Sequence, residues 1–450
     1  MRQTITSWGN LGPVDHDVET PGFRDEAAPL MAALTTRVGT VLAHGLGRSY
    51  GDSALNGQGG LLITRRLDRC HAFDHADGVL RADAGLSLAE LHAITVPRGW
   101  FVAVTPGTKF VTLGGAVAND VHGKNHHVAG TFGHHVRALG LRRSDGTLRI
   151  CAPDSDPDLF HATIGGLGLT GLIEWVEIQL QPITSSDMEV ENIRFDHVDR
   201  FFDLAAESLD WPYTVAWVDC LSQGASLGRG VFSRGRHAAA GPLAAKAGGP
   251  RLAVPLTPPF SLLNGPTLRA FNAAYYNRPG ATFAGRCHFD GFFYPLDGVH
   301  HWNRVYGPKG FYQYQCVVPP HVARDAVRDL LTRIAASGTG SCLVVLKNFG
   351  DRPPAGLMSF PMPGTTLALD FPNHGTRTLD LLADLDRVVD AAGGRLYPAK
   401  DARMPSRLFQ AGYPALAAFK RHIDPAFMSD FWRRMGQAPH GTDQAGSEQA

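Results

Sequence analysis

The chain of 450 residues lacks any run of eighteen consecutive apolar residues, so no segment is long enough to cross a membrane as a helix. Its beginning, MRQTITSWGNLGP, contains no apolar stretch of signal-peptide length. Its six cysteines include no CxxC pair, which argues against a thiolate zinc site and against a disulfide framework. We therefore expect a protein of the reducing cytoplasm.

The chain also has no excess of charge of one sign, because lysine plus arginine and aspartate plus glutamate both number 42. This balance lacks the electrostatic signature of nucleic-acid binding, so we expect no nucleic-acid partner. The length exceeds what one hydrophobic core usually covers, which predicts at least two domains.

Five histidines lie within fourteen residues: His122, His126, His127, His134 and His135. Glycines at 123, 130 and 133 interrupt any helix that would present them four residues apart. The HExxH motif is absent and no cysteine lies nearby. We expect solvated or backbone-bonded imidazoles here and no metal.

What the chain does have is glycine-rich segments, of which HGLGRSYGDSALN, residues 44–56, is the first. Three glycines within seven residues let a backbone approach a bound group and direct its N–H donors at an anion. Arg48 and Ser49 add one charged and one neutral donor. A plain surface loop has the same composition, but further glycine-rich segments downstream favour a phosphate-binding loop.

A later segment satisfies GxGxxG, the dinucleotide fingerprint, with Gly166, Gly168 and Gly171. That fingerprint must open a helix, because the pyrophosphate rests on the helix N-terminus. Here the following residues, LIEWVEIQLQP, alternate in a β-branched run that predicts a strand over 172–182. A nucleotide fold other than the Rossmann fold is therefore indicated.

Strand-like runs alternate with a few helices along the rest of the chain. Ser87 and Glu90 form a capping box for a helix that ends before Pro97. Helical periodicity returns near residues 327–334 and 381–392, between strands, which predicts an α+β fold with an antiparallel sheet backed by helices.

We predict four segments: a nucleotide-binding domain over 1–185, a substrate or cap domain over 186–392, a C-terminal segment over 393–436 and a disordered tail over 437–450. Residues 237–266 are dense in Ala, Gly and Pro and predict a mobile loop beside the site.

Three motifs together resemble a known family. GLGRSYGDSALN, TPGTKFVTLGGAVANDVHGKNHHVAGTFGHHV and IGGLGLTGLI, in this order, resemble the flavin-binding domain of the vanillyl-alcohol oxidase superfamily, the p-cresol methylhydroxylase (PCMH) type. HGKNHH, WNRVYGPKGFYQYQ and GGRLYPAKDAR are similar to its decaprenylphosphoryl-β-D-ribose 2-oxidase branch. The resemblance implies a PCMH-type FAD-binding domain, an antiparallel-sheet cap domain over the flavin, and a C-terminal segment that returns to the flavin.

The resemblance also implies which residues bind FAD. The matching positions are His44, Gly45, Leu46, Gly47, Arg48, Ser49, Tyr50, Gly51, Gly107, Thr112, Gly114, Gly115, Asn119, His122, Gly123, Ile173 and Tyr397. Many members of the superfamily attach FAD through a histidine in the first motif, where this chain has Arg48. Arginine cannot form that bond, so we expect non-covalent FAD.

Oxidation of a secondary alcohol needs a hydride acceptor and a group that takes the hydroxyl proton. Lys400 matches a lysine that the family places beside flavin and substrate, and it serves as a base only if its pKa is lowered. A surface lysine paired with Asp401 is the alternative. His122 is a second candidate for the proton, and Tyr50 is expected to line the pocket.

Substrate-binding positions implied by the resemblance are Lys124, Trp217, Gln313, Tyr314, Gln315 and Lys347. Trp217 and Tyr314 are otherwise ordinary core aromatics of strands. Some relatives carry cysteines where this chain has Asn119 and Ala368, so neither thiol takes part in the redox step here.

We expect FAD-dependent oxidation of a sugar hydroxyl, the 2′-OH of a polyprenylphosphoryl-β-D-ribose, as the oxidase half of a 2′-epimerase in arabinan precursor synthesis. The alternative is an oxidase or dehydrogenase of a free polyol, an aldose or another glycosyl carrier. A flavin-free binding protein would purify without flavin colour. An NADH-dependent ketoreductase is the expected partner, and an apolar entrance over 238–263 is expected to touch a membrane face.

Overall fold

The computed structural model describes residues 1–246 and 252–436. The tail predicted to be disordered, 437–450, lies outside the described residues, as does the part of the predicted mobile loop from 247 to 251. Around that gap, 238–246 and 254–264 contain no helix or strand.

The chain begins with a four-stranded sheet in the order β1-β2-β4-β3. Its strands are β1 (Arg2–Thr6), β2 (Pro13–Glu19), β3 (Val41–His44) and β4 (Gly60–Ile63). Helix α1 (Arg24–Val38) packs Ala27, Met31 and Leu34 against it. The end of β3 leads directly into the first glycine-rich loop.

A six-stranded sheet follows, in the order β5-β6-β10-β8-β9 with β7 also paired to β10. The strands are β5 (Cys70–Asp74), β6 (Val79–Asp83), β7 (Trp100–Val102), β8 (Val136–Arg142), β9 (Leu148–Cys151) and β10 (Leu172–Pro182). The helices are α2 (Leu88–Thr95), α3 (Leu113–Ala118), α4 (His126–Ala129) and α5 (Pro157–Thr163). The strand predicted after GxGxxG is confirmed, since β10 is central.

An antiparallel sheet of eight strands forms the cap, in the order β15-β11-β13-β12-β18-β19-β17-β20. The strands are β11 (Asp187–Phe195), β12 (Tyr213–Val218), β13 (Gly230–His237), β15 (Phe283–His288), β17 (Phe311–Val318), β18 (Val344–Phe349), β19 (Gly364–Pro372) and β20 (Arg395–Leu396). A separate parallel pair consists of β14 (Leu252–Ala253) and β16 (Val299–His300).

Helices cover one face of the cap sheet and leave the other toward the first two sheets. The covering helices are α6 (Val198–Ala206), α9 (Ala323–Ser337) and α10 (Thr376–Ala391), which share one hydrophobic core with the strands. Two others are α7 (Gly265–Asn277) and α8 (Phe289–Phe293). The fold is α+β, as predicted.

The C-terminal segment returns to the first sheet. It contains α11 (Ser406–Gly412), α12 (Leu416–Lys420) and α13 (Asp430–Gly436). Val41 donates to the carbonyl of Ala426 and accepts from the N–H of Met428, while Asp430 accepts from the N–H of Gly57. Within the described ranges, no helix combines the length and the apolar character that a membrane span requires.

Candidate active site

A cavity of about 790 Å³ lies between the first two sheets and the uncovered face of the cap sheet. Its volume falls in the range of about 300 to 1,000 Å³ that is typical of small-molecule sites. One wall consists of loops 43–54, 105–124 and 167–173, and the other of side chains on the cap strands. The two walls differ in chemistry.

The first wall is built by glycines that bring loops together. Gly45 passes so close to Thr112 that a Cβ at Gly45 would lie 2.4 Å from the threonine hydroxyl. Thr112 caps α3, because its hydroxyl accepts from the N–H of Gly115 at 3.1 Å. The first glycine-rich loop and the start of α3 therefore form one continuous backbone surface.

Two features of this wall fit a large bound cofactor. Gly107 lines the cavity, yet a Cβ built there would meet nothing within 4 Å, so the room it leaves belongs to the cavity itself. The Nδ1 atom of buried His122 has no hydrogen-bond partner within the described chain. An isoalloxazine with ring nitrogens and carbonyls, joined to a diphosphate along the glycine loops, suits both features.

The residues of this wall that would hold FAD are those that the sequence indicated, with two exceptions. Lining the cavity are Gly45, Leu46, Gly47, Arg48, Ser49, Tyr50, Gly107, Thr112, Gly114, Gly115, Asn119, His122, Gly123, Ile173 and Tyr397. Two are anchored to each other, since the Tyr397 hydroxyl donates to the carbonyl of Asn119 at 2.8 Å.

Two residues predicted to bind FAD, His44 and Gly51, do not line the cavity. The His44 ring lies beneath the loop, where its Nδ1 is 2.9 Å from the carbonyl of Ala54. Gly51 faces the C-terminal segment, because a Cβ there would lie 1.7 Å from the carbonyl oxygen of Asp401. Both residues shape the loop, and Gly51 lets the segment that carries Lys400 approach it.

Arg48 is held in place by neutral partners. Its guanidinium stacks 3.9 Å from the Trp8 ring centroid, and its Nε donates to the carbonyl of Phe110 at 3.2 Å. Residues 47–51 also spell GxSxG, the motif of serine hydrolases. That motif requires a turn from a strand into a helix. Here only a 3₁₀ turn over Asp52–Ala54 follows, so Ser49 is not a nucleophile of that kind.

Lys400 ends a 3₁₀ turn, Pro398–Lys400, that pairs with the first loop through the N–H of Tyr50 and the carbonyl of Ala399. Its Nζ lies 3.8 Å from the centroid of the Tyr50 ring, at the cavity. Burial lowers the pKa of Lys400, and the carboxylate of Asp370 opposes that shift. The lysine therefore faces the cavity, and Asp401 pairs instead with Arg434.

Asp370 is a site residue that the sequence reasoning missed. It is almost fully buried on β19, and its Oδ1 accepts from the Gln313 amide at 2.7 Å. Burial raises the pKa of Asp370, and the bond from Gln313 and the charge of Lys400 oppose the rise. A carboxylate within the apolar run TLALDFP was the available signal, because buried charges are rare without a partner.

His122 sits in an aromatic cluster with Phe349, Phe360 and Tyr397. Its Nε2 accepts from the Gln315 amide at 3.0 Å. Burial, and then the positive charge of Lys347, hold its pKa well below the usual range. Burial likewise raises the pKa of Tyr50 well above its ordinary value. Near neutral pH, Tyr50 therefore stays protonated and His122 holds a proton poorly, which leaves Lys400 as the best proton acceptor of the three predicted catalytic residues.

Comparisons with known proteins agree with this geometry. A family model described as an FAD-binding domain matches residues 18–152. Decaprenylphosphoryl-β-D-ribose oxidase of Mycolicibacterium smegmatis is 38% identical over 450 residues, which cover 96% of this chain and 97% of that protein. The chain belongs to this family of FAD-linked oxidases.

Two further relatives of this chain extend the comparison. An uncharacterised protein of Streptomyces coelicolor is 37% identical over 378 residues, covering 78% of this chain and all of that protein. L-Gulonolactone oxidase of Mus musculus is 29% identical over 140 residues, 31% of each chain. The oxidase is thus an FAD-dependent oxidoreductase.

Two buried lysines, Lys347 and Lys124, line the cavity and donate to backbone carbonyls. Lys347 donates to the carbonyl of Gly123 at 3.0 Å, and burial, with the charges of Lys124 and Lys400, lowers its pKa to about 7. Lys124 donates to the carbonyl of Phe292, and burial lowers its pKa to about 8. Both of these predicted substrate residues line the cavity.

The remaining predicted substrate residues either line the cavity or face the cap core, depending on their position along the strand. Gln313, Gln315 and Trp217 line the cavity, and the Trp217 indole donates to the carbonyl of Cys342 at 3.0 Å. Tyr314 lies between the two glutamines on β17, so its side chain points to the other face and is buried in the cap core. Tyr314 is therefore removed from the substrate pocket.

Three histidines of the segment 122–135 contact the protein backbone. His127, His134 and His135 contact the backbone carbonyls of Trp211, Pro353 and Ala129. Among the described residues, no group of three or more potential ligands is arranged to hold a metal.

Proposed function

We propose that the oxidase removes hydride and proton from a secondary hydroxyl of a sugar carried on a prenyl phosphate, the 2′-OH of a polyprenylphosphoryl-β-D-ribose. The observation that carries this proposal is the 38% identity to decaprenylphosphoryl-β-D-ribose oxidase along nearly the whole chain. The distribution of polar and apolar groups in the cavity supports an amphiphilic substrate of this kind.

Cavity-lining residues occur on seven adjacent strands of the cap sheet, from β17 to β15. At a strand spacing of about 4.8 Å, this surface is about 29 Å wide. Its β17–β18 end carries Gln313, Gln315, Asp370 and Lys347, next to Lys400. Its other end carries apolar side chains, Val215, Trp217, Val190 and Phe283, faced by Phe271 and Tyr275 of α7. A sugar suits the polar end and a prenyl chain the apolar end.

Bound FAD would accept the hydride from the carbon that bears the hydroxyl. Lys400 takes the hydroxyl proton on its Nζ, because burial leaves a larger neutral fraction of this amine near neutral pH. The ring of Tyr50 lies against the Lys400 amine. Asp370 stabilises the ammonium ion that results, and Gln313 orients Asp370.

Lys347 brings further positive charge to the polar end of the cavity, and Lys124 adds positive charge beside Phe292. A phosphate linked to the sugar would compensate this charge, since ammonium groups bind phosphate as point charges. Gln315 anchors His122 by donating to its Nε2 atom, which is the unprotonated nitrogen of a neutral imidazole. The Nδ1 atom is then available to the cofactor or substrate.

FAD is held without a covalent bond in this proposal, because Arg48 cannot form the histidyl linkage. Acid precipitation of the yellow protein should release the colour to the supernatant, and colour retained in the pellet would contradict it. The oxidised product is a 2′-keto sugar, whose reduction to the epimer requires a second enzyme, so an NADH-dependent ketoreductase is the proposed partner.

The test is anaerobic mixing of the purified protein with a set of glycosyl compounds while the flavin absorbance is followed. Prenylphosphoryl ribose should bleach the flavin, and its 2′-deoxy analogue should leave it oxidised. Free ribose and free polyols are the comparison. Faster bleaching by the free compounds would replace the prenyl-linked substrate with a free aldose or polyol.

A further inference from the structure

The balanced net charge conceals a strong local asymmetry. From Cys220 to Phe289 the sequence contains no aspartate or glutamate but eight lysines and arginines. A second stretch, residues 298–324, also contains no carboxylate. In the structure these stretches meet, since β14 pairs with β16 and the guanidinium of Arg304 donates to the carbonyls of Val254 and Pro255.

The same region exposes large apolar side chains. We call residues 252–263 the strap, which runs past 299–307 and leads into α7. Leu256 and Phe260 expose 78% and 67% of their surfaces, and Leu252 and Leu262 are also exposed. A folded protein rarely leaves neighbouring side chains of this size in water without a partner.

The strap adjoins the apolar end of the cavity. The N–H of Leu262 donates to the carbonyl of Val305, and the Thr267 hydroxyl at the start of α7 donates to the carbonyl of Leu262. Phe271 of α7 is both exposed and part of the cavity lining. The helix that the strap enters therefore carries an exposed apolar side chain at the cavity.

Exposed cations accompany the strap. Arg269 lies in the first half of α7, the helix that follows the strap, and Lys309 lies two residues beyond Gly307, which contacts the backbone of Phe260. Other arginines of the acid-free stretch are neutralised by carboxylates of neighbouring elements, as in the pairs Arg234–Glu191 and Arg229–Asp219. The charge that remains beside the apolar side chains is positive.

We propose that the strap and the start of α7 form a face that docks on an anionic lipid surface. Apolar side chains flanked by lysine and arginine are what a negatively charged bilayer interface binds, the apolar groups entering the headgroup region and the cations meeting lipid phosphates. A protein partner would bind through a surface of complementary apolar shape. This face instead offers positive charge and exposed leucine and phenylalanine side chains, which suit a lipid surface. The face is independent of which sugar the oxidase takes.

The test is co-sedimentation of the FAD-loaded full chain, without substrate, with vesicles of phosphatidylglycerol or of phosphatidylcholine. Binding is expected on phosphatidylglycerol and should weaken as salt rises. The double variant Leu256→Ser, Phe260→Ser should lose about tenfold in binding for each side chain. Arg269→Gln should lose about fivefold.

Matched controls lie on the second sheet and near the C-terminus. Leu148→Ser, Ile150→Ser removes two other exposed apolar side chains, on β9, and Lys420→Gln removes an exposed charge; both should bind vesicles as the original protein does. The proposal would be overturned by an equal loss of binding in these controls or by no binding to phosphatidylglycerol. It would also be overturned by a dimer in solution that only the strap variant abolishes. Flavin reduction by a short-chain soluble substrate should be unchanged in the strap variant, which separates this test from that of the proposed function.

Discussion

The two walls of the cavity are built in different ways. The wall of segments 43–54, 105–124 and 167–173 presents mainly backbone, because Gly45 lets two segments approach each other and Gly107 leaves open room in the cavity. The cap wall presents side chains from strands far apart in sequence, such as Lys347 and Asp370. Backbone surfaces suit a constant ligand, the cofactor, whereas we propose that the side chains take part in proton transfer and in the selection of substrate.

This difference predicts that the two walls fail separately. A change on the glycine wall should remove the cofactor and leave the cap residues in place. A change on the cap wall or at Lys400 should leave the flavin bound and alter its reaction with substrate. Four variants test this separation, from the largest expected effect to the smallest.

Lys400→Met should retain FAD but reduce the rate of flavin reduction by about 10² to 10⁴, the usual contribution of a positioned base. The measurement is anaerobic rapid mixing with prenylphosphoryl ribose. Lys420→Met, which removes an exposed lysine of α12, is the control and should behave as the original protein. An unchanged rate would remove Lys400 from the mechanism.

Gly107→Val should fold normally and bind FAD at least about tenfold more weakly, because its methyl groups enter a cavity that no protein atom fills. Thermal unfolding of the apoprotein and titration with FAD measure the two quantities. Gly298→Val also meets nothing within 4 Å but lies outside the cavity, so its FAD affinity should not change. Equal affinity of both variants would contradict the assignment of this wall.

Trp217→Ala should raise the KM for a prenyl-linked sugar by about tenfold, since a buried aromatic contact is lost at the apolar end. Its effect on a sugar phosphate without the prenyl chain should be small. Trp100→Ala, at the edge of the second sheet, is the control. Equal effects on both substrates would show that Trp217 acts through the fold and not through the chain-binding end.

Asp370→Asn should move the acidic limb of the pH profile for flavin reduction to lower pH by about one unit. The negative charge of Asp370 raises the pKa of Lys400, so its removal lets the lysine lose its proton at lower pH. The rate falls when pH drops below the lysine pKa, because the protonated amine cannot accept a proton. A limb that stays in place, or that moves to higher pH, would exclude this electrostatic role.

The glycine wall was predictable because its signal is local. The loop after β3, the start of α3 and the strand after GxGxxG each follow from contiguous residues. The position of Gly51 outside the cavity lining was not predictable, because a glycine that approaches another chain segment has the same sequence pattern as one that approaches a ligand. Only the position of Asp401 in the folded chain distinguishes them.

The cap wall was harder to predict, because it depends on pairing between distant strands. Gln313 and Gln315 share a face by the two-residue period of a strand, and the same period places Tyr314 in the core. That signal was present in the sequence. The meeting of Asp370 with Lys400 was not, since it needs the return of the C-terminal segment to the first loop.

We propose that this cavity oxidises C2 of a prenyl-linked ribose, and deuterium at that carbon tests the proposal most directly. Anaerobic bleaching of the flavin should be slower with prenylphosphoryl ribose deuterated at C2 than with the same compound deuterated at C3. Bleaching that is slowed by deuterium at C3 and not at C2 would contradict the account.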